Sequence, residues 1–353
     1  MNLTFYPGPS KLHAQVEQHL QEAFQSGLLS ANHRSTAFMA MLEETLLALR
    51  IKLSIPDGYE VYLTSSATEC WEIISQSLVQ QASHHVYNGA FGKKWFEYAQ
   101  RLHPATTGQL FGFNDFPPDP AHVPAAEVLC VTHTETSNGT ALPLPFLAEL
   151  RKNQPGLIAV DATSSMGGEA LPWLLADVWF ASVQKCFGLP SGLGILIVSP
   201  LAIERAQALN EQNHYNSLLF IRSNFQQFQT PFTPNTLGIF LLKRCMQERS
   251  PIEKISTSLH QRAEIWYNFL RENGYKLLVG LPEVQAVTVV VAQDSEENIR
   301  MIKAKAQAAE ITLGNGYGAW KKTTFRLANF PAITTDDSDR LMQVLQRSDK
   351  ITG

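Results

Sequence analysis

A basic excess, closely spaced cysteines and long apolar runs are all missing from this 353-residue chain. Lys and Arg number 28 against 32 Asp and Glu, a formal net charge of −4. No broad cationic surface is available for a polyanion, which argues against nucleic acid as the main partner. Any anion this protein binds must be held by a few local cations. The four cysteines, Cys70, Cys130, Cys186 and Cys245, include no C-x-x-C pair and are too sparse for a disulfide framework. A reducing, cytoplasmic compartment is expected, and no metal site. Apolar runs such as residues 193–198 fall far short of the ~18 residues that span a bilayer, so no membrane association is expected. The opening MNLTFYPGPSKL has no basic segment followed by an apolar one, so no signal peptide is expected. Internal repeats and low-complexity tracts are also absent.

What the chain does have is a globular balance, 44% hydrophobic and 17% charged. At roughly 150 residues per domain its length suggests two domains. Short apolar runs at 60–64, 85–87, 128–131, 157–160, 178–181 and 193–198 read as strands, with helical pattern between several of them. Continuous apolar runs separated by helices predict a parallel sheet covered on both faces, an α/β architecture. Such sheets bind ligands beyond the carboxyl ends of their strands. After about residue 240 the pattern changes. Ile255, Leu259, Ala263, Trp266 and Leu270 recur at helical spacing, and Asn273-Gly274 follows as a stop signal. A strand at 287–291, a helix near 296–309 and a short strand at 325–327 then predict a smaller α+β domain. We expect a large domain over 15–240 and a small one over 241–353, with residues 1–14 packing on the small domain.

Five residues follow the strand ends in series: Ser66, Phe91, Thr136, Asp161 and Lys185. Most are roughly 25 residues apart, about one β-α unit, which could bring them to one edge of one sheet. Lys185 lies just past a strand; it is either an ordinary surface lysine or an amine that burial keeps partly neutral and reactive toward an aldehyde. Asp161 ends an apolar strand; it reads as a helix N-cap or as the partner of a pyridinium nitrogen. Thr64-Ser65-Ser66-Ala67-Thr68-Glu69 joins a strand to a helix. It reads as a capping box, Ser66-x-x-Glu69, or as a phosphate cradle at a helix N-terminus. Phe91 is either core or a ring that stacks on a flat ligand.

Together these residues resemble the class V aminotransferases, pyridoxal-phosphate enzymes of fold type I, and within them the phosphoserine aminotransferases. The resemblance runs along nearly the whole chain. It rests on Phe5-Tyr6-Pro7-Gly8-Pro9-Ser10, Asn32-His33-Arg34-Ser35, Ile55-Pro56-Asp57-Gly58-Tyr59-Glu60-Val61 and Glu135-Thr136-Ser137-Asn138-Gly139. It continues through Val160-Asp161-Ala162-Thr163-Ser164 and Gln184-Lys185 to Phe325-Arg326-Leu327-Ala328-Asn329-Phe330-Pro331.

The resemblance implies roles. Lys185 is expected to hold pyridoxal 5'-phosphate covalently, and Asp161 to bind its ring nitrogen. Thr136 is expected on the ring hydroxyl and Phe91 over the ring, where many members use Trp. Ser66, Ala67, Thr68 and Gln184 are expected on the cofactor phosphate, with Thr233 reaching it from a second subunit of a homodimer. Gly8, Lys321 and Arg326 are expected to line the substrate site, Arg326 taking the α-carboxylate. His33 and Arg34 are expected to come from the partner and meet a distal anion. The implied reaction exchanges an amino group between L-phosphoserine and 2-oxoglutarate, in serine biosynthesis.

One departure bears on the substrate. Many phosphoserine aminotransferases carry a His-Arg pair where this chain has Trp320 and Lys321. That keeps open a class V alanine or serine transaminase using glyoxylate or pyruvate, although His33-Arg34 argues for an anionic side chain. A C–S lyase would need a nucleophilic cysteine on a late loop, and no cysteine follows Cys245.

Overall fold

The computed structural model describes residues 3–346. Its first strand, β1 (Leu3–Phe5), precedes helices α1 (Val16–Gln25) and α2 (Thr36–Lys52). Strands and helices then alternate as β2 (Glu60–Thr64), α3 (Ala67–Leu78), β3 (Ser83–Tyr87), α4 (Ala90–Leu102), β4 (Thr107–Leu110) and β5 (Val128–Thr132). A hairpin of β6 (Thr134–Glu135) and β7 (Thr140–Ala141) leads to α5 (Leu144–Asn153), β8 (Leu157–Asp161), β9 (Val178–Ser182) and β10 (Gly194–Val198). Helices α6 (Pro200–Leu209), α7 (Leu218–Phe225), α8 (Thr236–Glu248) and α9 (Ile252–Glu272) follow. The remainder is β11 (Lys276–Leu277), β12 (Val289–Gln293), α10 (Glu296–Ala308), β13 (Ile311–Asn315), β14 (Thr324–Ala328) and α11 (Thr335–Leu345).

Seven strands form the large sheet in the order β2-β10-β9-β8-β5-β3-β4. Strands β8, β9 and β10 are buried along their whole length, as their unbroken apolar sequence requires. All pairings are parallel except the two made by β10, which runs antiparallel to β9 and β2. The apolar run at 193–198 alone could not reveal this reversal. Its cause is the connection: residues 183–193 contain no helix, so the chain lacks the crossover a parallel neighbour needs and turns straight back. Lys185 sits in that reversal.

A second sheet, ordered β1-β13-β14-β12-β11, is antiparallel except where β1 pairs parallel to β13. Three of its strands escaped the sequence reading. Strands β1 and β11 have three and two residues, and β13 is ITLGN, so none offers a sustained apolar signal.

The buried side chains form two main clusters. One gathers residues from Val16 to Ile252; the other joins Leu3 and Phe5 to residues from Ala263 to Leu345. The division expected at 240/241 falls inside α8. Phe240, Leu241, Leu242 and Met246 all belong to the large cluster, because α8 lies along α2 and α1. The change of core comes within α9, which starts at Ile252 in the large cluster and places Ala263, Trp266, Tyr267 and Leu270 in the small one. Among the described residues, no helix is long and apolar enough to cross a membrane.

Candidate active site

The carboxyl ends of the parallel strands open on a cavity of about 610 Å³ that the second sheet closes from the other side. The loop after β9 delivers Gln184 and Lys185 to it; β8 ends in Asp161; the β6–β7 hairpin turn carries Thr136; and the first turn of α4 carries Phe91. Ala67 and Thr68, at the start of α3, complete the rim on the large-sheet side. From the small sheet come Arg326 of β14 and, in the preceding loop, Lys321. Gly8 arrives from the segment after β1. A Cβ at Gly8 would lie 3.1 Å from Lys185 Cε, and its φ is +142°, so a side chain there would press on the lysine and strain the backbone.

Lys185 is buried, which removes the surface-lysine reading. Its Nζ donates to Thr136 Oγ1 at 2.6 Å and to Ser164 Oγ at 2.8 Å. It also lies 5.3 Å from the centre of the Phe91 ring. Burial pushes the amine down to about 8; Asp161 and Glu135 oppose that shift and Arg326 adds to it. The neutral, nucleophilic form is therefore accessible close to neutral pH.

Asp161 is not a helix N-cap. No helix starts at Asp161; instead one carboxylate oxygen accepts from the Thr163 N–H at 2.9 Å, closing a local turn. Burial raises its pKa, while Thr163 and Lys185 work the other way.

Arg326 is buried and braced. Its Nε donates to the Asn315 carbonyl at 2.6 Å and its Nη1 to the Thr136 carbonyl at 2.8 Å, so the guanidinium ties the small sheet to the β6–β7 hairpin turn. Tyr317 lies under it, with the ring centre 5.6 Å from Cζ, and also packs 5.3 Å from the Phe91 ring centre. Burial lowers the Arg326 pKa.

Four expected site residues lie outside the cavity lining. The Ser66 hydroxyl accepts from the Glu69 N–H at 3.1 Å and caps α3. Glu69 does not return that bond to Ser66 but accepts from the Ser65 N–H and hydroxyl, both at 2.7 Å. Thr233, His33 and Arg34 line other surfaces of the same chain, and Arg34 donates to Gln229. Of the departure, Lys321 faces the cavity, whereas Trp320 packs edge-on against Phe113 at 4.9 Å. The sequence reading missed Tyr317 and Lys94 as lining residues. Tyr317 stood in the Gly316-Tyr317-Gly318 turn; Lys94 gave no signal beyond its helical spacing from Phe91.

The cysteines supply no thiolate. Cys70, Cys130 and Cys186 are buried, and burial pushes their thiols up; Cys245 is pushed to about 11. Among the described residues no group of three or more His, Cys, Asp or Glu is placed to hold a metal ion.

Comparison with known proteins agrees with this geometry. The family model for class V aminotransferases matches residues 3–316. A phosphoserine aminotransferase of Rhodococcus opacus is 27% identical over 350 residues, 95% of this chain and 91% of the relative. The crystal structure of a phosphoserine aminotransferase from Cytophaga hutchinsonii superposes with a TM-score of 0.93 at 32% identity, over 98% of this chain and 99% of that one. An alanine–glyoxylate aminotransferase from Nostoc shares the fold, with a TM-score of 0.84 at 19% identity over 98% and 94% of the two chains.

Proposed function

The chain belongs to the class V aminotransferases, and on that footing we propose that it holds pyridoxal 5'-phosphate and exchanges an amino group between L-phosphoserine and 2-oxoglutarate. The observation that carries this reading is the buried Lys185 amine, set between two hydroxyls, with the Asp161 carboxylate and the Arg326 guanidinium lining the same cavity.

The residues present fit that cofactor. A buried, partly neutral lysine, a carboxylate at the cavity floor, an aromatic ring and a helix N-terminus are the parts it needs. When bound, pyridoxal phosphate supplies an aldehyde and an electron-withdrawing ring. Asp161 would hold the ring nitrogen protonated, and the Thr136 hydroxyl would meet the ring oxygen. Ala67 and Thr68 bring the positive end of α3 to the cavity, where they and Gln184 would hold the phosphate, with Ser66 shaping that turn as the α3 cap. Thr233 of a second subunit would reach the same group.

With its amine free, Lys185 would take the proton from the substrate α-carbon and deliver it to the carbon that was the cofactor's aldehyde; a pKa of about 8 suits both halves of that transfer. Arg326 presents a planar fork to the α-carboxylate. Its bonds to Asn315 and Thr136 fix that fork before substrate arrives. Both proposed substrates carry a distal anion, so one cationic pocket serves both. Lys321 would contribute from the same chain, and His33 and Arg34 from the partner of a cytoplasmic homodimer.

Trp320 packs away on Phe113, so that position of the pair brings no polar or charged side chain to the cavity, and this favours a second reading. A class V transaminase for alanine or serine with glyoxylate needs no distal cation. Single-turnover bleaching of the bound chromophore by phosphoserine, serine, alanine and glutamate separates the two. Faster bleaching by alanine than by phosphoserine would replace the first reading with the second.

A further inference from the structure

The first amides of α4 have no partners inside the helix, and its N-cap, Gly89, has no side chain to offer them. The β6–β7 hairpin supplies the partners instead. Ala90 N–H donates to Ser137 Oγ at 3.0 Å, and the N–H groups of Phe91 and Gly92 both donate to Glu135 Oε2 at 3.1 Å. The other carboxylate oxygen accepts from the Ser137 N–H at 3.0 Å and from its hydroxyl at 2.6 Å. Glu135 is 2% exposed, so these bonds take the place of water. A carboxylate at this end of a helix is also favoured by the helix dipole.

The fit depends on the glycine. A Cβ at position 89 would lie 2.2 Å from Glu135 Cγ, so the side chain reaches the helix only because Gly89 leaves room. The helix has given up a cap of its own, and a residue of another element provides it. That element carries Thr136 next to Glu135, and the helix carries Phe91 at one of the two bonded amides. Both converge on Lys185 Nζ: Thr136 at 2.6 Å and the Phe91 ring at 5.3 Å.

We propose that Glu135 is a positioning residue that locks the Phe91 ring and the Thr136 hydroxyl in one fixed relation around Lys185, and so sets the orientation of the bound cofactor. The inference rests on the pyridoxal-phosphate reading above. Glu135→Gln keeps the shape but turns an NH₂ toward N–H donors on one side or the other, breaking half of the network. Tyr59→Phe is the control. Its hydroxyl donates to the Trp173 and Ala176 carbonyls at 3.0 Å, outside the cavity lining, so its loss lowers stability without touching the site.

The test uses the full chain, measuring its dissociation constant for pyridoxal phosphate, the visible circular dichroism of the bound chromophore, and the melting temperature. Glu135→Gln should weaken cofactor binding about tenfold, the scale of a lost hydrogen bond to a charged group, and reduce the dichroism, while Tyr59→Phe lowers only the melting temperature. An unchanged dissociation constant and dichroism in Glu135→Gln, or changes no larger than those of Tyr59→Phe, overturn the proposal. If Glu135→Gln does not fold, Ser137→Ala removes one donor and one acceptor of the same network. It should move both readouts in the same direction, and wild-type values overturn the proposal. A wild-type chain that takes up no pyridoxal phosphate overturns the cofactor reading and this one together. A wild type that binds it no better than Glu135→Gln overturns this one alone.

Discussion

Lys185 Nζ and Thr136 Oγ1 stand 2.6 Å apart although 49 positions separate them in the chain. The contact joins the reversal after β9 to the hairpin after β5, and Ser164 closes it from a third loop at 2.8 Å. The amine is thereby held by neutral hydroxyls, with its carboxylate neighbours farther off. Burial wins over those carboxylates and lowers the pKa to about 8 from an ordinary 10.5.

That shift makes Lys185 a cost to the fold of the cofactor-free chain. Between pH 8 and 10.5 the unfolded chain binds the extra proton and the folded one does not, so stability rises with pH across this window. Below pH 8 the full cost is present, on the order of 3 kcal/mol. Lys185→Met should therefore unfold at higher urea than the wild-type apoprotein at pH 7. The gap should narrow as pH rises toward 10.5. Equal midpoints at pH 7 would contradict the burial argument.

Asp161→Asn keeps the side-chain shape and the acceptor for the Thr163 N–H but removes the charge. It should retain one cofactor per chain while the turnover rate drops about 10²–10³-fold, the scale of a lost electrostatic partner. Loss of cofactor without a change in rate per bound cofactor would assign Asp161 to binding alone.

Arg326→Lys keeps a cation but loses the fork and both braces, to Asn315 and Thr136. The kcat/KM should fall at least about 30-fold, from 2 kcal/mol or more of lost pairing. The loss should be similar for phosphoserine and glutamate, since both present the same α-carboxylate. A loss confined to one donor would move Arg326 to the side-chain end of the site.

Arg34 lies outside its own chain's cavity, so its expected role needs a partner. Arg34→Ala should weaken phosphoserine far more than alanine. Lys185→Ala should lose the absorbance of the lysine-bound chromophore and be inactive. Mixed and re-equilibrated, the two variants should recover about one quarter of wild-type activity, because half of the dimers hold one intact site. No recovery would place Arg34 and Lys185 of the same chain in one site, or exclude the dimer.

Six strands of the large sheet were legible because they are largely buried and bear short apolar runs; the exposed edge strand β4, TGQL, has no such run and was not. Asp161 stands at the end of such a strand and Lys185 three residues past one, which is what marked them in the sequence. The reversal of β10 was not legible, since direction depends on the connection and not on the strand. Gly8, Tyr317 and Arg326 come to the cavity of Lys185 through pairing between distant strands, which periodicity cannot report. Glu135 was visible only as part of a motif; its four bonds appear when the hairpin is laid against the start of α4. Lys94 carries no local mark that separates it from Lys93, and only the closure of the second sheet puts it at a cavity.

Strand β1 adds a consequence about order in time. Leu3, Thr4 and Phe5 pair with Ile311, Thr312 and Leu313, a contact that spans nearly the whole chain. Closing so large a loop is slow, and the pairing cannot form during synthesis until residue 313 has emerged. Gly8 follows β1 by three residues and reaches Lys185 only when that strand is in place. The large sheet can assemble early, but its cavity acquires the last of its walls only once β13 and β14 have been made.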